Sequence, residues 1–330
     1  MTTAAVIGCG DVSIVHLEAI EALADSQLLA VCDTDPVTAT EVAGRWGVPP
    51  FADHHSMLAA VRPDVVHVCT PHDQHAPVVL DCVAAGVSVI VEKPLAHTLA
   101  EAEKVVAASD AAPAVRIGVC FQNRYNQTVQ ATRRLLESSS LGAVLGGTAT
   151  LSWHRSADYY RARPWRGEAA RSGGGVLINQ AIHTIDLMQW LLGEVMAVSG
   201  RAGRYLLDPP IEVEDTASVV LEHAGGARTV VFATNAGVVD SPITTEIVTE
   251  QATLLIRQDL TISWADGRVE TVAERRAASG GRGYWGVSHK LLIADFYARL
   301  GDAEPFWIGP REATKSLRIC AQVYALSAGG

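Results

Sequence analysis

Up to about residue 118 the chain alternates short apolar runs with stretches of helical period, a pattern that predicts a parallel sheet covered by helices. The predicted strands are Ala4 to Ile7, Leu28 to Cys32, Val65 to Cys69, Ser88 to Val91 and Val115 to Val119. They are mostly β-branched and apolar on both faces, as buried parallel strands are. After Phe121 the period changes. A helix over Thr128 to Glu137 is followed by segments that alternate apolar and polar residues: Leu145 to Trp153, Thr216 to Glu222, Thr229 to Thr234, Thr244 to Thr249 and Thr253 to Ile256. Such alternation marks antiparallel strands with one dry face. Two domains are expected, an α/β unit with a doubly wound parallel sheet over residues 1–120 and an α+β unit with an open antiparallel sheet over 121–330. The glycine-rich stretch Ala277 to Gly286 predicts a loop.

Composition narrows the class. With 48% hydrophobic residues among 330, the chain can bury a sizeable core. A net charge of -10 argues against a surface built for nucleic acid or an anionic membrane, so neither is expected as a partner. No basic leader precedes the first strand, and no apolar run approaches bilayer length, which points to the cytoplasm. Cys9, Cys32, Cys69, Cys82, Cys120 and Cys320 are scattered with no C-x-x-C pair, so neither a zinc site nor a disulfide framework is indicated.

The first strand runs into Gly8-Cys9-Gly10-Asp11-Val12-Ser13 and then a helix, the setting in which a glycine fingerprint means a dinucleotide site of the Rossmann type. Gly8 allows the tight turn, and Gly10 lets the backbone approach a pyrophosphate beside helix amides, with Asp11 and Val12 in the same turn. Ser13 stands where a third glycine is common. Asp33 ends the second strand twenty residues beyond Ser13, where a carboxylate accepts hydrogen bonds from an adenosine ribose. It would repel a 2′-phosphate, and neither Thr34 nor Asp35 offers positive charge, so NAD is favoured over NADP. Thr70, Pro71, His72 and His75 follow the third strand and should lie toward the nicotinamide half. The two histidines lack a third ligand nearby in sequence, and no metal is expected.

Glu92-Lys93-Pro94 ends the strand Ser88 to Val91, which places both charges at the ligand edge of the sheet. A glycine run, Gly173 to Gly175, opens an apolar helix that should stop at Gly193. On it Asn179, His183 and Asp186 are spaced by four and three and share one stripe. A polar stripe on a buried helix is either an internally satisfied cluster or an acid/base group facing substrate.

Taken together, Ile7 to Gly10, Asp33, Thr70-Pro71 with His75, Glu92 to Pro94, Gln122 to Asn126 and the helix with His183 and Asp186 resemble the glucose-fructose oxidoreductase and inositol dehydrogenase family, Gfo/Idh/MocA. The resemblance covers essentially the whole chain. It implies a Rossmann domain followed by a domain whose open sheet forms an oligomer interface, so a homo-dimer or homo-tetramer is expected. It also implies that Lys93 and His183 lie beside the nicotinamide and the substrate carbinol. His183 would accept the hydroxyl proton while hydride passes to NAD, and Lys93 would stabilise the developing alkoxide. Many relatives carry Asp where this chain has Asn179, which can only hydrogen-bond. Asn179 would then hold a neighbouring hydroxyl, and Asp186 could orient the imidazole.

The segment before that helix interleaves Arg155, Arg161, Arg163, Arg166 and Arg171 with Tyr159, Tyr160 and Trp165, after Trp153. Aromatic faces and arginine forks suit a polyhydroxylated substrate bearing an anionic group, although structural ion pairing explains the same residues. Trp153, Arg155, Tyr160, Arg163, Trp165 and Arg166, with Arg124 and Tyr284, are the expected substrate contacts. The expected function is NAD-dependent hydride transfer with a sugar, a sugar derivative or a cyclitol. A redox-neutral enzyme that retains NAD, or an NAD-sensing protein without catalysis, would show the same cofactor motifs.

Overall fold

The computed structural model describes residues 1–205, 211–275 and 287–329. The chain divides into two compact units, Met1–Gln122 with Ala277–Thr314, and Asn123–Arg276 with Lys315–Gly330.

The first unit begins with β1 (Thr2–Ile7), α1 (Ser13–Ala22), β2 (Ser26–Cys32), α2 (Pro36–Trp46), β3 (Pro50–Phe51) and α3 (His54–Val61). It continues through β4 (Val65–Val68), α4 (His72–Ala84), β5 (Ser88–Val91), α5 (Leu99–Ala111) and β6 (Ile117–Val119). The six strands are parallel in the order β3-β2-β1-β4-β5-β6, so the winding reverses between β1 and β4. A parallel sheet binds ligands at such a switch point, outside the carboxyl ends of its strands. Local chemistry sets the helix ends. Asp35 caps α2 by accepting from the Val37 N–H, and Gly47, in the left-handed region, stops it. Thr98 caps α5 through the Glu101 N–H, the first half of a capping box.

The second unit contains α6 (Gln127–Glu137), β7 (Val144–Ser152), two short helices α7 (Ala157–Arg161) and α8 (Ala169–Ser172), and α9 (Ile182–Leu192) preceded by a π turn at Leu177–Ala181. Then come β8 (Val195–Gly203), β9 (Thr216–His223), β10 (Arg228–Thr234), β11 (Thr244–Thr249), β12 (Ala252–Arg257), β13 (Asp259–Trp264) and β14 (Val269–Val272). These form one sheet in the order β14-β13-β12-β11-β7-β10-β9-β8. It is antiparallel, as the alternation predicts, except that β7 and β10 pair in parallel. β8, β13 and β14 were not expected from the pattern. One face is covered by α6 and α9, where Val129, Leu187 and Leu191 pack on Ile247, Leu254, Leu260 and Ile262. Gly193 ends α9 as expected.

Two further helices close the chain, α10 (Val287–Ala298) and α11 (Pro310–Ala328). The sequence assigned all of 121–330 to the second domain, but residues 277–314 return to the first unit. The reason is packing. Phe296 of α10 and Phe306 fill the space over Gly118 of β6, where an added Cβ would lie 2.7 Å from the Phe296 ring. The Val119 N–H also donates to the Ile308 carbonyl.

Candidate functional site

At the switch point of the first unit, Gly8 has φ +90, and a Cβ there would lie 2.6 Å from the Cys69 backbone, so only glycine fits between β1 and β4. Gly10 differs, since an added Cβ would meet nothing within 4 Å. Open space over that backbone is what a pyrophosphate requires. Ser13 donates from its hydroxyl to the Gly10 carbonyl at 2.7 Å, so the residue in the third glycine position braces the turn. Asp33 accepts from the Cys9 N–H at 2.7 Å on one carboxylate oxygen and from the Asp35 N–H at 2.9 Å on the other. It is therefore a turn anchor, and each oxygen keeps a lone pair for a ribose hydroxyl. These residues fit a dinucleotide. Gly8, Asp33, Thr70 and Glu92 follow neighbouring strands β1, β2, β4 and β5 and so lie along one sheet edge. Asp11 is exposed, while Val12 and Pro71 are half-buried beside that turn and the start of α4.

Two residues expected to touch cofactor face inward instead. Glu92 is buried, and its Oε1 accepts from His16 Nε2 at 3.1 Å and from His289 Nε2 at 3.2 Å, while Oε2 accepts from the Lys93 backbone N–H at 3.2 Å. Burial alone would raise the pKa of this carboxyl, but the bonds from the two imidazoles outweigh it and hold Glu92 well below the usual range. His75 is equally buried, with Nδ1 2.6 Å from the Pro94 carbonyl and Nε2 2.9 Å from that of Thr70. Two carbonyls call for two ring protons. Burial, the larger effect, lowers the His75 pKa against the pull of both carbonyls, and the contact to Pro94 is the shorter of the two. His72 is buried beside it, with ring centroids 5.7 Å apart. Lys93 is half-buried between two residues that are both held.

In the second unit Glu214 sets the catalytic candidate helix in place, a role with no signal in the sequence. Its carboxylate accepts from the Gly175 N–H at 2.6 Å, the Leu177 N–H at 2.9 Å and the Tyr324 hydroxyl at 2.8 Å. Gly174 and Gly175 are required because Tyr324 and the Glu214 backbone occupy the space a Cβ would take. Asn179 and His183 are half-buried, whereas Asp186 is buried. Asp186 takes Nε and Nη2 of Arg124 at 2.8 and 2.6 Å and the Ser316 hydroxyl at 3.0 Å. Arg124 is 0% exposed and also lies over the Trp190 ring. It therefore serves a buried ion pair, not substrate, and corrects the expectation.

The arginine segment is similarly reordered. Arg155 pairs with Asp240 at 3.1 Å and stacks over Trp153 and Tyr159; Arg161 pairs with Asp158, and Arg171 with Glu168. Arg166 lies 4.4 Å over Tyr159 and 5.8 Å from the Trp165 ring centroid, and Arg163 is exposed. Tyr160, an expected contact, is buried and accepts from Asn235 at 3.3 Å. Its neighbour Tyr159 is only half-buried. The Tyr159 hydroxyl oxygen accepts from Asn179 at 3.4 Å and from Gln180 at 3.2 Å, which leaves its own proton to donate elsewhere. Tyr284 lies outside the described residues.

Comparisons with known proteins agree with this geometry. Residues 2–119 match the oxidoreductase family with NAD-binding Rossmann fold, and residues 129–255 match the GFO/IDH/MocA C-terminal domain. A D-apiose dehydrogenase of Rhizobium rhizogenes is 28% identical over 73% of this chain and 68% of its own. An inositol 2-dehydrogenase of Rhizobium meliloti is 30% identical over 68% of this chain and 66% of its own. The matched stretches span about half to two thirds of the length of such curated relatives. Among solved structures, the WlbA dehydrogenase of Bordetella pertussis, in complex with NADH and UDP-GlcNAcA, has a TM-score of 0.84 at 29% identity, covering 99% of this chain and 96% of that one. No helix among the described residues is long and apolar enough to cross a membrane.

Burial lowers the pKa of His16, His67 and His75, against partial opposition from Glu92 at His16 and from carbonyls at His75. The folded protein holds these rings neutral, whereas the unfolded chain takes up protons below its ordinary histidine pKa near ~6.5. Stability should therefore fall as pH drops below that value, by up to about 1.4 kcal/mol per pH unit for each ring. Urea midpoints measured between pH 8 and 5 check this. His67→Phe should flatten the slope, and an unchanged slope would show that His67 titrates normally in the fold.

Proposed function

The chain belongs to the Gfo/Idh/MocA family of NAD-binding oxidoreductases, and from that premise we propose that it is an NAD-dependent dehydrogenase acting on a secondary alcohol or ketone of a sugar, sugar derivative or cyclitol. The observation that carries the reading is the sheet edge where the open backbone of Gly10, the carboxylate of Asp33 and the held residue Lys93 follow neighbouring strands. The named activities of the apiose and inositol relatives support the substrate class.

NAD, when bound, supplies the hydride acceptor. The backbone of Gly10 to Val12 would hold the pyrophosphate, since the amides of Gly8, Cys9 and Ser13 donate within the turn, and Asp33 would receive the ribose hydroxyls, which disfavours NADP. His183 takes the proton of the reacting hydroxyl as its carbon gives up hydride, and Lys93 stabilises the oxygen as it becomes anionic. Asn179 and Tyr159 hydrogen-bond neighbouring hydroxyls. The six cysteines, all buried free thiols, suit a reducing cytoplasm.

The test is NADH formation across inositols, pentoses, hexoses, uronates and nucleotide sugars. Lys93→Met and His183→Asn should each lower kcat on the best substrate by about a hundredfold or more while NAD still binds. Turnover near wild type in either variant removes that residue from the reaction.

The arginines bear on which sugar. Arg166 and Arg163 flank Tyr159 and Trp165, and a relative at 29% identity was crystallised with an anionic nucleotide sugar. We assign them to an anionic group on the substrate. The KM of an anionic sugar should then rise with ionic strength, and Arg166→Gln should raise it by roughly 1.5 to 3 kcal/mol in binding, far more than for a neutral analogue. Equal effects on both would make the cluster scaffolding.

The face of the eight-stranded sheet away from α6 and α9 exposes Val230 and Phe232, which pair across the strands with Thr148, Val220, Thr150 and Ser218. Charged residues flank this apolar pair on the same face, Glu246, Arg201 and the Arg228–Glu222 ion pair, and an apolar centre with a charged rim suits contact between copies of the chain, as a dimer or tetramer. Phe232→Asp should shift sedimentation toward the monomer; an unchanged profile would place the interface elsewhere.

A further inference from the structure

Three histidines and a tyrosine lie together in the first unit, beneath the end of β5. His16 comes from α1, His67 from β4, and His289 and Tyr297 from α10. The three imidazoles are 0%, 0% and 1% exposed. His67 occupies the middle of β4, where its neighbours are valines buried on both faces. A polar group there is costly unless every bond it can make is made.

The bonds resolve into one direction. Glu92 is an ionised carboxylate and can only accept, so His16 must present Nε2–H to it. A neutral His16 then has its lone pair at Nδ1, which faces Nδ1 of His67 at 2.9 Å. His67 must therefore carry its proton at Nδ1 and its lone pair at Nε2. That nitrogen lies 2.8 Å from the Tyr297 hydroxyl, which must donate. Protons thus point Tyr297 to His67 to His16 to Glu92, with His289 as a second donor to the same oxygen. No ring needs to be charged, in keeping with the burial that lowers the pKa of His16 and His67. The other oxygen of Glu92 receives the Lys93 N–H.

We propose that Glu92 is a positioning residue for Lys93, and that the donor chain from Tyr297 through His67 and His16, together with His289, holds its carboxylate fixed so that the Lys93 backbone is set in place. This rests on the part proposed above for Lys93. Lys93 has a flexible four-carbon stem, and its precision has to come from its backbone. A misplacement on the order of 1 Å costs about a hundredfold in rate. His75 secures the following residue through the Pro94 carbonyl, so the backbone is held on both sides. The consequence is that α10, about two hundred residues away in the chain, contributes to placing the oxygen-binding ammonium.

Two measurements test the proposal. In histidine-labelled full-length protein at pH 7.5, imidazole nitrogen NMR should show His16 as the neutral Nε2–H form and His67 as the neutral Nδ1–H form. Tyr297→Phe should perturb His67 most. Imidazolium at either residue, the opposite tautomer, or a stoichiometric transition metal in the purified protein would overturn the donor chain; His16, Glu92 and Cys120 place ligand atoms within 4.8 Å of one another.

The second measurement is a rescue. Gln at 289 can present an N–H where the imidazole has Nε2, whereas Asn reaches only the Nδ1 position. His289→Gln should keep kcat within about threefold, and His289→Asn and Glu92→Gln should lower it about tenfold or more with the NAD Kd little changed. If all three variants keep wild-type kcat while Lys93→Met is inactive, the positioning role fails and the reading of Lys93 stands. If Gln and Asn lose activity equally, in step with a fall in Tm, the cluster is structural only. Should Lys93→Met itself remain active, the reading of Lys93 fails, whatever the histidines do.

Discussion

An ionised carboxylate can be buried only if it is met by donors, and the burial of Glu92 organises the first unit around that requirement. Its acceptor contacts draw in α1, α10, the residue that follows it beyond β5 and the Cys120 thiol after β6. The same constraint draws residues 287–314 to the first unit, since His289 bonds Glu92 beyond β5 and Tyr297 bonds His67 of β4. It also explains why a histidine is tolerated inside β4. Replacing such a cluster with hydrophobic residues is often neutral or stabilising in other proteins. Its presence here is better explained by what it holds, the backbone of Lys93 just beyond β5, than by stability.

The second unit buries two more carboxyl groups around α9, although at Glu214 burial outweighs the donors and pushes the pKa up. Glu214 collects the amides that begin the helix and the Tyr324 hydroxyl, and Asp186 collects a bidentate guanidinium and the Ser316 hydroxyl. Both carboxylates are reached from α11, so the end of the chain fixes a helix formed some 140 residues earlier. In each unit, then, the residue proposed for chemistry is only partly exposed, while the charged residue beside it is fully committed to holding the backbone.

This division decided what was legible in the sequence. The strands β1, β2, β4 and β5, the glycine turn, Asp33 and the glycine-led helix were readable because period, turn chemistry and spacing are local. The partners were not. Glu92 and Lys93 are adjacent and equally charged in the sequence, and nothing local shows that one is buried among imidazoles. Likewise Arg124 reads as an available cation, and Tyr160 is as good a candidate as Tyr159. Their fates depend on Asp186 and Asn235, 62 and 75 residues away. One faint signal existed. His16 and His67 each interrupt an apolar stretch, and a histidine in such a place requires a partner that only the tertiary structure can supply, whereas His289, between Ser288 and Lys290, carries no such signal.

Asn179 is the departure whose consequence the structure makes concrete. A carboxylate at this position would accept the Tyr159 proton and so direct that hydroxyl inward. The amide donates instead, and Gln180 donates to the same oxygen, with its own carbonyl fixed by the Asn235 amide at 3.0 Å. The phenol proton is thereby turned away from the helix. Losing an acid/base group thus leaves a hydrogen-bond donor on the Tyr159 ring, the ring that Arg155 and Arg166 both stack against. In the reaction proposed above, an amide at residue 179 can recognise oxygen atoms but not carry a proton, which leaves proton transfer to His183.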